Sequence, residues 1–204
     1  MADLTDTPER WPVVSAAERF RGRIFSVRTD SVQMPDGAVA ARDIVVHPGA
    51  VAVLAMDGQQ RVLLVHQYRH PAGRLLWELP AGLRDVGGEP PLATAQRELA
   101  EETGWRAASW ETLADCLTSP GMTSERIRIF LARGVSEIPA GERHFTPVHE
   151  EARIELAWIP LDDAVGKVLR GDIHNQTAAV GILAAYAARD DGFAGLRDPR
   201  APES

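Results

Sequence analysis

The stretch Gly82–Trp105, "GLRDVGGEPPLATAQRELAEETGW", joins a glycine-rich turn to a dense group of carboxylates. Two prolines, Pro90 and Pro91, suit the start of a helix, because the first helical residues need no backbone N–H. Gly104 suits the C-terminal cap, where the chain adopts a left-handed conformation. These signals predict a helix over residues 91–103.

Three glutamates of this helix, Glu98, Glu101 and Glu102, share one face, since residues three and four apart are helical neighbours. Each like-charged pair costs the helix about 0.2–0.5 kcal/mol, and the acids crowd the end that the helix dipole disfavours. One explanation is a solvated acidic surface. Another is a bound cation, because carboxylate oxygens are the ligands that Mg²⁺ and Mn²⁺ prefer. The helix pattern by itself leaves both explanations open.

The whole chain has 204 residues, of which 45% are hydrophobic, and this favours one domain with a small appendage. A net charge of −7 argues against nucleic acid as the main partner, which would need a basic surface. The sequence has no apolar run near the roughly 18 residues of a membrane span and no secretory signal. Its single cysteine, Cys116, suits a reducing compartment. We therefore expect a cytoplasmic protein with no nucleic-acid or membrane partner.

The sequence around this helix predicts strands before it, strands after it and two further helices. Alternating apolar and polar residues over 20–46 indicate a small antiparallel meander. Apolar runs indicate further strands at residues 49–57, 61–69, 75–82, 109–118, 126–135 and 154–161. Residues 160–169 and 177–189 are expected to be helical, and the charged, proline-rich ends 1–10 and 195–204 to be loose. This order predicts an α/β fold with a mixed sheet between helices.

The stretch from Gly82 to Trp105 resembles the Nudix box, the signature of hydrolases that cleave nucleoside diphosphates linked to another group. The family pattern is Gly, five residues, Glu, seven residues, then Arg-Glu-apolar-any-Glu-Glu-any-Gly-apolar. The segment "RELAEETGW", from Arg97, matches every position of the second half. One departure is that six residues, rather than five, separate Gly82 from Glu89. An added loop residue costs little closure entropy, so the helix keeps its register.

The resemblance implies a metal site on this helix. Glu98 and Glu102 would be the principal ligands, and Glu101 a further or water-mediated one. The carbonyl of Ala81 would also face a metal, and Arg97 would pair with a glutamate of the box. Two or three Mg²⁺ ions, with Mn²⁺ as an alternative, would neutralise the diphosphate and activate a water molecule.

Segments flanking the box resemble the ADP-ribose pyrophosphatase branch of the family in its actinobacterial form. They are "HPGAVAVLAMD", "VLLVHQYRHP", "LLWELPAGL" and "TSPGMTSERIRIFLA", and the last places Pro120 where that branch has a proline. The resemblance implies hydrolysis of ADP-ribose to AMP and ribose 5-phosphate. Alternatives are another Nudix substrate, such as a nucleotide sugar or a dinucleoside polyphosphate, and a non-catalytic module that senses ADP-ribose. The intact box argues against the sensor.

Hydrolysis needs a general base for the attacking water, and this branch takes it from a glutamate on a loop before a late strand. Glu150 and Glu151, in "TPVHEEARIEL", occupy that place. Alignment on the following strand favours Glu150. Together with the metal ligand Glu102, these two are the expected catalytic residues.

Substrate binding would need cationic and aromatic side chains. Arg69 is the best candidate for the diphosphate, because a guanidinium makes bidentate contacts to phosphate. Glu78 would accept from a ribose hydroxyl or pair with Arg69; the alternative for both is a strand-end ion pair. Phe25 and Trp11 are candidates to clamp the adenine, and Arg28 could contribute from the amino-terminal sheet.

The same resemblance implies the Nudix fold and divides the chain into two parts. Residues 1–48 would form a small antiparallel sheet for dimerisation, and residues 49–204 the Nudix hydrolase domain. In this branch the amino-terminal sheet commonly crosses to a partner subunit, and the active sites lie at the dimer interface. We therefore expect a homodimer that acts on a small nucleoside diphosphate sugar.

Overall fold

The computed structural model describes residues 4–143 and 154–203. The chain divides into two compact units. Met1–Pro48 and Ser119–Glu125 form the first unit, and Gly49–Thr118 and Arg126–Ser204 form the second. The first unit is therefore discontinuous in sequence. The expected role of this unit in dimerisation stays a prediction.

The first unit holds a three-stranded antiparallel sheet in its described residues, in the order β1-β2-β3. The strands are β1 (Val13–Arg21), β2 (Ser26–Gln33) and β3 (Val39–Val46). Residues 119–125 join this unit through Val45 of β3. The Val45 amide donates to the Met122 carbonyl at 2.8 Å, and its carbonyl accepts from the Ser124 amide at 3.0 Å. A segment far along the chain thus supplies hydrogen bonds to β3 at Val45.

Strand β1 begins at Val13, before residue 20, where the strand pattern detected in the sequence begins. All nine residues of β1 are exposed. A strand with neither face buried needs no alternation of apolar and polar residues. The period-two signal that marks a half-buried strand is therefore missing from this part of the sequence.

The second unit is built on a mixed sheet that has seven strands in the described residues. They are β4 (Ala50–Met56), β5 (Arg61–Arg69), β6 (Arg74–Glu78), β7 (Ala81–Leu83), β8 (Trp105–Leu117), β9 (Arg126–Glu137) and β10 (Glu155–Pro160). The order is β10-β5-β4-β9-β8, with β6 beside β5 and β7 beside β4. Strands β4 and β9 run parallel, and the other named pairs run antiparallel.

Helices cover both faces of this sheet. They are α1 (Pro91–Thr103), α2 (Leu161–Leu169) and α3 (Gln176–Ala188). The bounds of α1 are those that the sequence predicted, and α2 and α3 each begin within one residue of the predicted start. None of these helices, in the part of the chain that the structure describes, has the length and apolar character of a membrane crossing.

Strand β4 lies in the middle of the sheet, and all seven of its residues are buried. Leu54 packs in the core that includes Ile182 of α3, whereas Val53 packs in the core that includes Leu99 of α1. Burial on both faces explains why the sequence of β4 is a continuous apolar run. The sheet is sandwiched between helices, and the predicted α/β fold class is confirmed.

The segment after Leu196 is held against β8 and β9, so the expectation of a loose end at 195–204 was wrong for its described part. The Thr112 amide donates to the Arg197 carbonyl at 2.9 Å. Arg128 of β9 donates to the carbonyls of Ala201 at 2.6 Å and Pro202 at 3.1 Å. Arg128 is buried away from water, and these carbonyls provide acceptors for its N–H groups.

Candidate active site

Helix α1 turns its glutamates away from the core because its apolar side is fully buried. Ala95 and Leu99 have no exposed surface and pack under β4 and β9. Pro91 stands in the first turn, and Gly104 ends the helix in the left-handed conformation (φ 71°), donating its amide to the Ala100 carbonyl. The predicted caps therefore set the length of the helix, and its buried apolar residues set the face that the acids occupy.

Strand β7 packs directly on Glu98. A Cβ atom at Gly82 would overlap the Cδ and Oε1 atoms of Glu98, so only glycine allows this approach. Burial raises the pKa of the Glu98 carboxyl, and the neighbouring Arg97 opposes this shift without cancelling it. Removal of water disfavours a carboxylate unless a cation takes the place of the lost hydration.

The same strand also holds Glu102. The backbone amide of Ala81 donates to Glu102 Oε2 at 2.9 Å. Consecutive residues of β7 thus contact two of the predicted metal ligands, Glu102 through an amide and Glu98 through the bare Cα of Gly82. The carbonyl expected to face a metal belongs to Ala81 as well.

Arg97 is bound to three glutamates of the box. Its Nη1 donates to Glu98 Oε1 at 2.7 Å and to Glu101 Oε2 at 3.0 Å. Its Nε and Nη2 contact the two oxygens of Glu89 at 3.4 and 3.3 Å. Thr94 donates to Glu89 Oε2 at 2.9 Å, and the hydrogen bonds from Arg97 and Thr94 hold the pKa of Glu89 below its ordinary value. One guanidinium therefore offsets much of the repulsion within the acidic face.

The carboxylates of Glu98, Glu101 and Glu102 do not converge on a single point in the structure. Among residues 4–143 and 154–203, no three acidic, histidine or cysteine side chains are grouped closely enough to enclose a metal ion. Arg97 engages Glu98 and Glu101, and the Ala81 amide engages Glu102. Three carboxylates and a backbone carbonyl are nevertheless hard oxygen donors of the kind that suit Mg²⁺ or Mn²⁺. The donor set fits such an ion, provided that Arg97 releases the Glu98 oxygen it holds.

Arg69 and Glu78 form the ion pair that was the alternative interpretation of both residues. Arg69 Nη2 lies 2.6 Å from Glu78 Oε2, and Arg69 Nε contacts both carboxylate oxygens at 3.0 and 3.1 Å. Gln67 Nε2 adds a contact at 3.3 Å. The Glu78 side chain is 3% exposed and that of Arg69 is 46% exposed. A buried carboxylate therefore fixes a half-exposed guanidinium, and the contact of Arg69 with substrate stays a prediction.

The remaining substrate-binding candidates lie in the first unit. Arg28 pairs with the buried Asp30 at 3.0 Å. Phe25 is 42% exposed and its ring centroid lies 6.1 Å from that of Phe20. Trp11 donates its Nε1 to Glu9 at 2.6 Å. None of these contacts by itself distinguishes a substrate role, so the roles of Arg28 and Phe25 stay predictions.

The expected general bases, Glu150 and Glu151, fall between residues 143 and 154 and lie outside the described residues. Gln67 and Thr94 were not singled out from the sequence, although signals for both were present. Gln67 and Arg69 are two apart on one strand and so share a face, and Thr94 stands five residues after Glu89 in the first helical turn. Their partners, Glu78 for Gln67 and Glu89 for Thr94, are brought into contact only by the folded structure.

A model of the NUDIX domain matches residues 46–179, which carry both β7 and α1. The chain belongs to the Nudix family. This confirms the family predicted from the box, and it identifies the chain as a Nudix hydrolase. Nudix hydrolases generally need divalent metal ions.

Several relatives are similar in sequence to most of this Nudix chain. ADP-ribose pyrophosphatase of Mycobacterium tuberculosis is 47% identical over 181 residues, which cover 89% of this chain and 85% of that protein. ADP-ribose pyrophosphatase of Bacillus subtilis and the methanol dehydrogenase activator of Bacillus methanolicus are each 33% identical over 83% of this chain and 89% of theirs. A solved structure titled as an ADP compounds hydrolase has a TM-score of 0.76 at 18% identity, covering 92% of this chain and 99% of that one. At that identity, the structural match supports the fold alone.

Proposed function

We propose that this Nudix hydrolase cleaves the diphosphate of ADP-ribose to give AMP and ribose 5-phosphate. The observation that carries the hydrolysis is the contact of β7 with two glutamates of α1, Glu98 against Gly82 and Glu102 on the Ala81 amide. The substrate is supported by the relatives named ADP-ribose pyrophosphatase, of which one is 47% identical over most of both chains.

The proposed metal site uses Glu98 and Glu102 as ligands, Glu101 as a further or water-mediated ligand, and the carbonyl of Ala81. Two or three Mg²⁺ ions, or Mn²⁺ in their place, would neutralise the diphosphate and lower the pKa of the attacking water. Glu98 must first leave Arg97 Nη1, and Arg97 would then keep Glu101 on Nη1 and Glu89 on Nε and Nη2. Arg97 is in this way a counter-charge that keeps the acids together before a metal arrives.

Glu150 or Glu151 would accept the proton from the attacking water, and their place before β10 favours Glu150. Both are proposed from the sequence. Glu102 contributes to the chemistry as a ligand, whereas the base must lie within hydrogen-bond reach of the water that attacks phosphorus.

Substrate recognition is proposed for Arg69, held by Glu78, with Arg28 and Phe25 from the first unit. A buried carboxylate that contacts a guanidinium at two points fixes the plane of the guanidinium. Fixing that plane reduces the entropy lost when a phosphate binds. Phe25, with Trp11 as the alternative, would clamp the adenine.

We propose a cytoplasmic homodimer that uses the sheet of the first unit and has no nucleic-acid or membrane partner. Strand β1 is exposed along its whole length and carries Val13, Val14 and Phe20, with exposed fractions of 51%, 63% and 54%. Exposed apolar side chains on one strand favour a protein interface. Light scattering coupled to size exclusion tests the dimer, and a Val14→Asp variant should shift it towards monomer.

The proposed function is tested by product analysis with ADP-ribose and Mg²⁺. Wild-type protein should release AMP and ribose 5-phosphate. Glu102→Gln should lose at least about a hundredfold in kcat, because a metal ligand acts more directly than the supporting groups whose loss costs 10–100-fold. Asp162→Asn, which removes an exposed arginine-paired carboxylate from α2, is the matched control and should keep wild-type activity.

A panel with nucleotide sugars and dinucleoside polyphosphates separates the alternatives. Cleavage of one of these but not of ADP-ribose would keep the Nudix hydrolase and replace the substrate. Binding of ADP-ribose without turnover of any compound would instead indicate a sensor.

A further inference from the structure

Arg84 forms an ion pair with Glu203, a residue 119 positions along the chain. Arg84 Nη1 contacts both carboxylate oxygens, at 2.7 and 2.8 Å. The two side chains are only 25% and 27% exposed. Arg84 Nε is buried without an acceptor among the described residues, so Glu203 supplies the counter-charge for this guanidinium.

Glu203 is presented to Arg84 by the C-terminal segment, residues 197–203, which is anchored along its length. Thr112 of β8 bonds to the segment at two carbonyls, and Arg197 donates to Asp115 at 2.9 Å. The buried Arg128 donates to the carbonyls of Ala201 and Pro202. Glu203 follows Pro202 directly, so its backbone is fixed close to the last of these anchors. The ion pair is therefore the end of an ordered segment.

Arg84 follows directly on strand β7, which holds the two principal metal ligands. Its amide donates to the Gly49 carbonyl at 3.1 Å, and this bond continues the pairing of β7 with β4. Ala81 and Gly82, three and two residues earlier, contact Glu102 and Glu98. The position of β7 is thus fixed on one side by β4 and at its end by the side chain of Arg84.

We propose that Glu203 is a positioning residue for the metal site, acting through Arg84 on strand β7. The inference rests on the proposed function, since it assumes that Glu98 and Glu102 hold the metal. When Glu203 loses its charge, Arg84 keeps a buried donor and has no counter-ion among the described residues, and the end of β7 can move towards water. Glu102 then loses its fixed contact with the Ala81 amide, and the metal ligands must be ordered when the metal binds.

The test is a double-mutant cycle with Glu203→Gln, Arg84→Gln and both together, with Asp162→Asn as control. The first readout is hydrogen exchange of the Ala81 amide in metal-free protein. The second is Mn²⁺ affinity, measured from the electron paramagnetic resonance signal of the free ion. The third is kcat and KM on whichever diphosphate the wild type cleaves. The first two need no substrate, so an inactive wild type would overturn the proposed function without deciding this inference.

We expect Glu203→Gln to speed exchange at Ala81 and to weaken Mn²⁺ about two- to fivefold, the range that a well-placed ion pair can supply. The value of kcat should fall with KM nearly unchanged, and Glu203→Gln should add nothing in the Arg84→Gln background. Wild-type exchange and Mn²⁺ affinity in Glu203→Gln would overturn the inference. Additive effects of Glu203→Gln and Arg84→Gln in the double variant would overturn it as well. So would equal effects in Asp162→Asn.

Discussion

The Cα of Gly82 lies so close to the carboxyl group of Glu98 that a side chain at position 82 would occupy the same space. Gly82 pairs with Val51 in the register of β7 and β4, so the backbone of β7 cannot easily retreat. The carboxyl group of Glu98 is therefore the part that must move when position 82 gains a methyl group.

Gly82→Ala should weaken Mn²⁺ binding and lower kcat by at least about tenfold, because Glu98 leaves the proposed metal site. Overpacking should cost about 1–3 kcal/mol of unfolding free energy. Urea denaturation, Mn²⁺ titration and steady-state kinetics measure the three effects. Gly87→Ala is the matched control, since a Cβ there meets nothing within 4 Å, and it should behave as wild type in all three. Normal metal binding in Gly82→Ala would contradict the placement of Glu98.

Glu98→Gln should separate stability from metal binding. The Glu98 side chain is 15% exposed, so its negative charge is costly in metal-free protein. In EDTA we expect the variant to unfold at the wild-type temperature or above. A hundredfold excess of Mg²⁺ over its Kd should stabilise wild type by about 2.7 kcal/mol and the variant far less. Thermal unfolding with and without Mg²⁺ measures this, and Glu142→Gln, an exposed carboxylate, should respond to Mg²⁺ as wild type does.

Asp115 should make the free energy of unfolding depend on pH in the acidic range. Burial opposes its ionisation, but hydrogen bonds from Arg128 and Arg197 outweigh burial and hold its pKa below the ordinary value of 3.8. A lowered folded pKa gives stability that is present above the ordinary value and is lost as pH falls through the folded pKa. Asp115→Asn should therefore cost about 3 kcal/mol at pH 7, and this difference should shrink below pH 3.8.

Urea denaturation across this pH range measures the contribution of Asp115. Asp172→Asn is the control, because Asp172 is half exposed and lies 3.5 Å from Arg170. An exposed pair of this kind should contribute no more than about 1 kcal/mol. A loss at Asp115 that stays constant with pH would show that its charge is not the cause.

Arg69→Lys should raise KM for ADP-ribose about tenfold with a smaller effect on kcat, because lysine cannot make a bidentate contact to phosphate. Steady-state kinetics measure the two constants separately. Arg74→Lys changes an exposed arginine opposite Arg69 on β6 and should leave both constants unchanged. Equal kinetics in Arg69→Lys and wild type would contradict a role of Arg69 in substrate binding.

Sequence predicted the helix α1 to the residue because its signals are local. Prolines mark its start, Gly104 marks its end, and the spacing of apolar residues fixes its buried face. The sequence also predicted β4, whose apolar run follows from burial on both faces. The same local rules missed β1, which buries neither face and has no period to detect.

The C-terminal segment could not be predicted in this way, because its partners lie 73 to 86 residues away in β8 and β9. Composition describes how a segment would behave alone, and a charged, proline-rich segment alone is loose. Nor does the sequence show which atoms approach a glycine. The box marks Gly82 as required, but the reason, the Glu98 carboxyl group, is a tertiary contact.

Residues 119–125, which bond to Val45, limit how this protein can be divided. A fragment beginning at residue 49 would keep these residues but lose the backbone partner of Met122 and Ser124. The amino-terminal sheet expressed alone would lose the segment that bonds to Val45 of β3. The two units are thus interleaved along the gene, and neither can be exchanged between relatives by a single crossover at residue 48.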